Sequence, residues 1–150
     1  MSDGTGQRRE NRILAGRIRI DSDDERFVRL LSRALSLPPT RTSKIRHVVA
    51  ISLTPEREGN MVGLTKCSLA TSPSGRTYPR QTITFYKELF EQLSDDAALG
   101  VIGHELAHAW LNEHVSPEES KEREVAADAL AREWGFGHAL DELDREAETV

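Results

Sequence analysis

A chain of 150 residues, 37% hydrophobic and 30% charged, fits one soluble domain, and with 5% aromatic residues its core must rest on Leu, Ile, Val and Ala. The net charge of −5 argues against nucleic-acid binding, which shows a basic domain as a rule; the arginines of residues 1–50 and the acids of the C-terminal end read as a solvated surface. Cys67 is the only cysteine, which excludes an intramolecular disulfide and a cysteine-based metal site.

No apolar run approaches the roughly 18 residues of a membrane span. The polar start, Met1 to Glu10, has no apolar segment of a secretory signal. The expectation is a cytoplasmic protein without membrane contact.

Residues 1–12 are polar and glycine-containing and read as a disordered tail, leaving 13–150 as a single domain. Ile13 to Ile20 alternates weakly, as a short strand does. Asp21, Ser22 and Asp23 then offer N-cap oxygens and first-turn acids. Phe27, Leu30, Leu31, Ala34 and Leu35 recur at helical spacing, predicting an amphipathic helix that stops before Pro38-Pro39. Ile45 to Leu53 reads as a strand, Pro55 to Asn60 as a turn, Met61 to Thr71 as a strand and Ser72 to Gly75 as a turn. Thr82 to Phe85 is a short alternating strand and Tyr86 to Leu93 a helix.

Ser94-Asp95-Asp96 opens the next helix with acids at its positive end. Leu99, Val101, Ile102, Leu106, Ala109, Trp110 and Leu111 nearly circle its axis, so this helix is central in the fold. It ends near His114, before Val115-Ser116-Pro117. Ser116 is an N-cap and Pro117 suits a first helical position, so a further helix runs to about Trp134, where Gly135 and Gly137 end it. Phe136 to Glu148 adds a final helix.

The central helix carries His104-Glu105-Leu106-Ala107-His108. Residues four apart share a helix face, so two imidazoles can meet one metal ion. Glu105 sits about 100° around the axis from His104. It is badly aimed for the same ion and well placed for a water beside it, which is why this pattern on a helix implies zinc, two ligands and a general base. Zinc lowers the pKa of a bound water to about 7. Glu105 would take that proton as the oxygen attacks a carbonyl, and pass it to the leaving amine. Burying two imidazoles and a carboxylate without partners would cost several kcal/mol, which weighs against a chance occurrence.

Two residues compete as third ligand. His114 stands ten residues after His104, at the place of the last metzincin histidine. Metzincins, however, turn sharply out of the helix at a glycine, where Leu111 stands here, and their later Met-turn is missing, the only methionines being Met1 and Met61. Glu124 fits better. A chain reversal near Ser116 makes two helices antiparallel neighbours, and positions equidistant from it face each other. His108 and Glu124 are each eight residues from Ser116; His104 and Asp128 are each twelve. Glu124 would complete the metal site, and Asp128 would accept a hydrogen bond from the free imidazole nitrogen of His104. The small Ala126 and Ala127 permit close approach. The alternative is a solvated acidic face shared with Glu118, Glu119 and Glu122.

The segment from Leu93-Ser94-Asp95-Asp96 through His104 to His108, with Glu124-Val125-Ala126-Ala127-Asp128, resembles the gluzincin metallopeptidases. It is most similar to the minigluzincins and to the ImmA/IrrE and HtpX-type catalytic cores. In those families the downstream Glu-x-x-x-Asp supplies the third ligand and an aspartate that supports a zinc histidine. The resemblance covers roughly residues 82–137 and is specific for a metal site, not for a substrate. It implies an α+β, zincin-like fold: a small, twisted, mostly antiparallel sheet packed on the active-site helix and an antiparallel glutamate helix. It also implies an edge strand that pairs with an extended peptide. Met61 to Ala70 is the candidate, with an interior strand as the alternative. Unlike the HtpX type the chain has no transmembrane segment, and unlike many ImmA/IrrE-type proteins it has no recognisable helix-turn-helix region.

Gluzincins often add a Tyr, His or Arg that steadies the oxyanion. Tyr78, Tyr86 and His138 are the candidates, each with a structural alternative. Cys67 could approach the zinc from the edge strand, or be a buried, inert thiol. Trp110 and Trp134 read as core anchors.

These expectations combine into a zinc peptidase: zinc on His104, His108 and Glu124, Glu105 as general base and Asp128 as support. Its partner would be a peptide or protein substrate, with no nucleic acid. The rival reading is a zinc-binding regulatory or interaction module that keeps the fold without proteolysis.

Overall fold

The computed structural model describes residues 12–14, 18–36, 45, 48–57, 59–114 and 122–148. The tail expected over 1–12 lies outside them except for Arg12, which heads the first strand. Five strands, β1 (Arg12–Leu14), β2 (Ile18–Asp21), β3 (Val48–Thr54), β4 (Gly63–Thr71) and β5 (Thr77–Tyr86), form one sheet in the order β1-β2-β3-β5-β4.

The sheet is mixed, which corrects the mostly antiparallel expectation. β1–β2 and β4–β5 are antiparallel, whereas β2–β3 and β3–β5 are parallel. The physical reason lies in the connections. Helix α1 (Glu25–Leu35) intervenes between β2 and β3, and a helical crossover brings the chain back in the same direction. β4 then lies outside β5, so β3 and β5 become parallel neighbours. The weak alternation over 13–20 proves to be two strands rather than one. The short strand expected at 82–85 is ten residues long. Pro79 hides its start by breaking the alternation; it is tolerated because β3 first pairs with β5 at Gln81, beyond the proline.

Helix α1 is capped by Asp24, one residue beyond the expected caps, with its carboxylate accepting from the Phe27 N–H at 2.8 Å. The helix expected over 86–93 shrinks to one turn, α2 (Lys87–Phe90). α3 (Asp95–His114) follows, capped by Ser94, whose hydroxyl accepts from the Ala97 N–H at 3.2 Å. α4 (Arg123–Ala131) leads into a wide turn, Arg132–Phe136, where Gly135 takes φ +105°. α5 (Gly137–Glu148) closes the described chain. The expected start of the fourth long helix at Ser116-Pro117 lies outside the described residues.

As expected, α3 is buried nearly all round, with Ala98, Ile102, Leu106, Ala107 and Ala109 in a core that extends from Ile18 to Leu140. It packs on β4 and β5, on α1, and on α4 and α5. Phe27, Phe85 and Phe90 meet edge to face at 5.5–5.9 Å, joining α1 to the sheet. Gly100 and Gly103 let α5 and the Phe136 ring come against α3, a contact that fixes the helix carrying the histidines. No described helix is long and apolar enough to cross a membrane.

Arg26 ties α1 to the entry of α3, donating to Asp95 Oδ1 at 2.8 Å and to the Leu93 carbonyl at 2.6 Å. Its hydrogen bond, helped by Arg29, lowers the Asp95 pKa. A carboxylate with a depressed folded pKa stabilises above its unfolded value and loses that contribution as the pH falls through the folded one. Asp95 is half exposed, so Asp95→Asn is expected to cost less than about 1 kcal/mol at pH 7. In acid titrations of stability, the gap to the parent should begin to close as the pH drops below 3.8 and be gone once it is below the lower folded value. A gap that persists in stronger acid removes the ion pair as its cause.

Candidate metal centre

α3 presents His104 and His108 one turn apart, and α4 brings Glu124 onto them. His104 Nε2 lies 3.0 Å from Glu124 Oε1, His108 Nε2 lies 3.0 Å from Glu124 Oε2, and the two Nε2 atoms are 3.1 Å apart. His104 and His108 are largely covered, and the Glu124 side chain is 78% exposed, so the triad sits at the mouth of a cleft open to solvent.

The residues fit a metal ion on two grounds. Ligands held at the usual zinc distances in a tetrahedral shell stand about 3.3 Å from one another, close to these separations. Protons alone satisfy the cluster poorly: if both imidazoles donate to the carboxylate, their N–H groups crowd each other at 3.1 Å. One shared cation uses all three lone pairs at once. Among the described residues these three form the one group of His, Cys, Asp and Glu side chains arranged to hold an ion.

Glu105 lies about 100° around the axis of α3 from His104, on the side that meets β4. It is 7% exposed, and its Oε1 accepts from the Thr65 hydroxyl on β4 at 2.7 Å. β4 is an edge strand, as expected for Met61 to Ala70. It comes this close because Gly63 has no side chain: a Cβ there would meet Glu105 Cγ at 3.1 Å and the Phe85 ring at 3.0 Å. The resulting cleft of about 470 Å³ lies between β4 and α4, lined by Met61, Thr65, Glu105, His108, Arg123 and Glu124 among others.

Other expected residues lie elsewhere. Asp128 does not bond His104; its Oδ2 accepts from Arg132 Nε at 2.8 Å. Arg132, four residues on along the same face, also donates to Asp141 and lowers its pKa. A charged fork attracts the carboxylate more strongly than a neutral imidazole does. Of the oxyanion candidates, Tyr78 sits opposite Ala70 at the far end of β5, Tyr86 is buried at its other end, and the exposed His138 is 3.4 Å from Asp96 at the start of α3. None of the three is among the described residues lining the cleft. His114 stacks on Trp110 at 4.3 Å because α3 runs on through Leu111, and it is not part of the triad. Cys67 is exposed rather than buried. Trp134 is buried as expected, whereas Trp110 is only partly so.

Sequence reasoning missed Thr65, Gly63, Gln81, Asn112 and Arg123. Asn112 donates from Nδ2 to Gln81 Oε1 at 2.9 Å and accepts from Arg123 Nη1 at 2.9 Å. Two signals were present. Asn112 extends the His104–His108 spacing by one more turn, and Gln81 precedes Ile83 and Phe85 on the inward side of β5.

Comparison with known proteins covers part of this site. The model of Peptidase family M48 matches residues 72–120, about a third of the chain. The match contains His104 to His108 and stops short of Glu124, so Glu124 rests on its position alone. No curated protein and no solved structure matches significantly. Over that third the chain is similar to a peptidase family, which supports a metallopeptidase function and, with it, peptide or protein substrates.

Proposed function

We propose that the protein is a zinc-dependent peptidase of gluzincin type, with His104, His108 and Glu124 as metal ligands and Glu105 as general base. The observation that carries this reading is the convergence of two imidazole nitrogens and one carboxylate within 3.1 Å of each other, beside a second, separately held carboxylate. Two imidazoles and a carboxylate are the donor set of open catalytic zinc sites, and the exposed cleft leaves room for a substrate. When bound there, zinc supplies a Lewis acid that polarises a carbonyl and makes water a nucleophile near neutral pH.

The chain's own residues do the rest. Thr65 holds one oxygen of Glu105, leaving the other to accept a proton from the attacking water and return it to the leaving nitrogen. β4 offers its outer edge along the cleft, so an extended peptide can add to the sheet beside Glu105. Asp128 acts on the site only through the fold of α4, by way of Arg132.

Metal analysis combined with incubation in a mixed peptide library tests this reading. Stoichiometric zinc and cleavage that chelation abolishes are expected. Glu124→Ala, which removes a ligand from an exposed position, should lower zinc affinity by at least about tenfold without loss of fold. Bound zinc with intact peptides would favour the non-proteolytic module, and a protein without zinc would end both readings.

A further inference from the structure

α4 carries the third ligand yet has little to hold it. Among the described residues its fully buried side chains are two alanines, Ala127 and Ala131, with Ala126 and Leu130 partly buried against the core; none of the described residues caps its N-terminus with a side chain, and Val125 is 72% exposed. The Glu124 carboxylate is itself exposed, and among the described residues its partners are the two histidines. Something else must fix where α4 starts relative to α3.

A polar chain beside the triad, running from the sheet to α4, does this. Gln81 on β5 is 0% exposed and fully engaged: Nε2 donates to the Ala109 carbonyl at 2.9 Å and to Glu113 Oε2 at 3.0 Å, and Oε1 accepts from Asn112 Nδ2 at 2.9 Å. Asn112 Oδ1 in turn accepts from Arg123 Nη1 at 2.9 Å. The direction of this chain is fixed at both ends. A guanidinium can only donate, and a carbonyl and a carboxylate can only accept, so neither amide can flip without setting N–H against N–H. His104, His108 and Asn112 are spaced by four and form one stripe on α3. The first two meet Glu124 and the third meets its neighbour Arg123.

We infer that Gln81, Asn112 and Arg123 are positioning residues that set the register of α4 on α3 and so deliver Glu124 to the metal. This role rests on the metal-site reading proposed above. The bonds stand between sheet, central helix and the first turn of α4, upstream of the apolar side chains, Ala127, Leu130 and Ala131, that hold the rest of that helix to the core. A buried, fully satisfied polar network specifies one arrangement where apolar packing tolerates several.

The test is zinc affinity of the full chain by competition with a chromophoric chelator, together with the visible absorption of the cobalt-substituted protein. Asn112→Ala and Arg123→Met should each weaken zinc binding by about tenfold or more and alter the cobalt spectrum, while Arg123→Lys, which keeps a donor, recovers part of the loss. Melting curves of the metal-free proteins show whether each variant is folded; Arg123 is only partly buried, so Arg123→Met keeps the test open should Asn112→Ala unfold. Variants whose competition curves and spectra superimpose on the parent's overturn the role. A parent that takes up no zinc overturns the metal site and this role together, whereas a zinc-binding parent with unaltered variants overturns this role alone.

Discussion

Glu105→Gln is expected to lower kcat by about 10²- to 10⁴-fold while zinc remains bound, the loss typical of a missing general acid–base. The amide is isosteric with the carboxylate and keeps an oxygen for the Thr65 hydroxyl, so the side chain stays between α3 and β4. What disappears is the oxygen able to take a proton. Glu105 is not part of the converging triad, so metal content should be unaffected. The effect falls on kcat, because the interaction is made as the proton moves rather than when the substrate docks. Steady-state kinetics on a peptide cleaved by the parent, with metal content measured in parallel, checks this. Undiminished turnover would mean that another group takes the proton.

The second large effect is on stability. A Cβ at Gly103 would stand 2.5 Å from the Phe136 ring, which is 1% exposed and has nowhere to turn. At Gly100 it would stand 2.8 Å from the Ala139 carbonyl oxygen, and a backbone atom yields only if α5 moves. Overpacking of this kind costs about 1–3 kcal/mol, occasionally more, against a gain of up to about 1 kcal/mol in helix propensity. Gly103→Ala is therefore expected to lose about 2 kcal/mol, seen as a fall in Tm of roughly 4–8 °C for a chain of this size. Because Gly103 adjoins His104, zinc affinity should fall with it. Gly137→Ala is the control: nothing lies within 4 Å of its Cβ position, so that variant should melt no lower than the parent. Equal melting of Gly103→Ala and the parent would show that α5 does not press on α3 in this way.

Much of the site was legible because it is local. The spacing of His104 and His108 on a helix places them on one face, and the same period turns Glu105 toward β4. The apolar girdle of α3 foretold its burial. Glu124 was reachable by assuming one antiparallel helix pair, and the two helices do pack together. The same symmetry failed for Asp128, because counting residues from a reversal takes no account of competing partners. Arg132 binds the Asp128 carboxylate at 2.8 Å and carries a full charge.

The amino-acid sequence by itself determined the chemistry-bearing stripe: donor types at helical spacing, on a helix apolar enough to be the centre of the fold. Short-range periodicity is sufficient for that, because a helix fixes neighbouring side chains whatever surrounds it. Only the tertiary structure decided that the sheet is mixed, that Thr65 and Gly63 of its outer strand lie against Glu105, and that Gln81, Asn112 and Arg123 join beside the triad. Those contacts link residues far apart in the chain. They depend on the order in which strands add to the sheet, which the α1 crossover sets and no local pattern encodes.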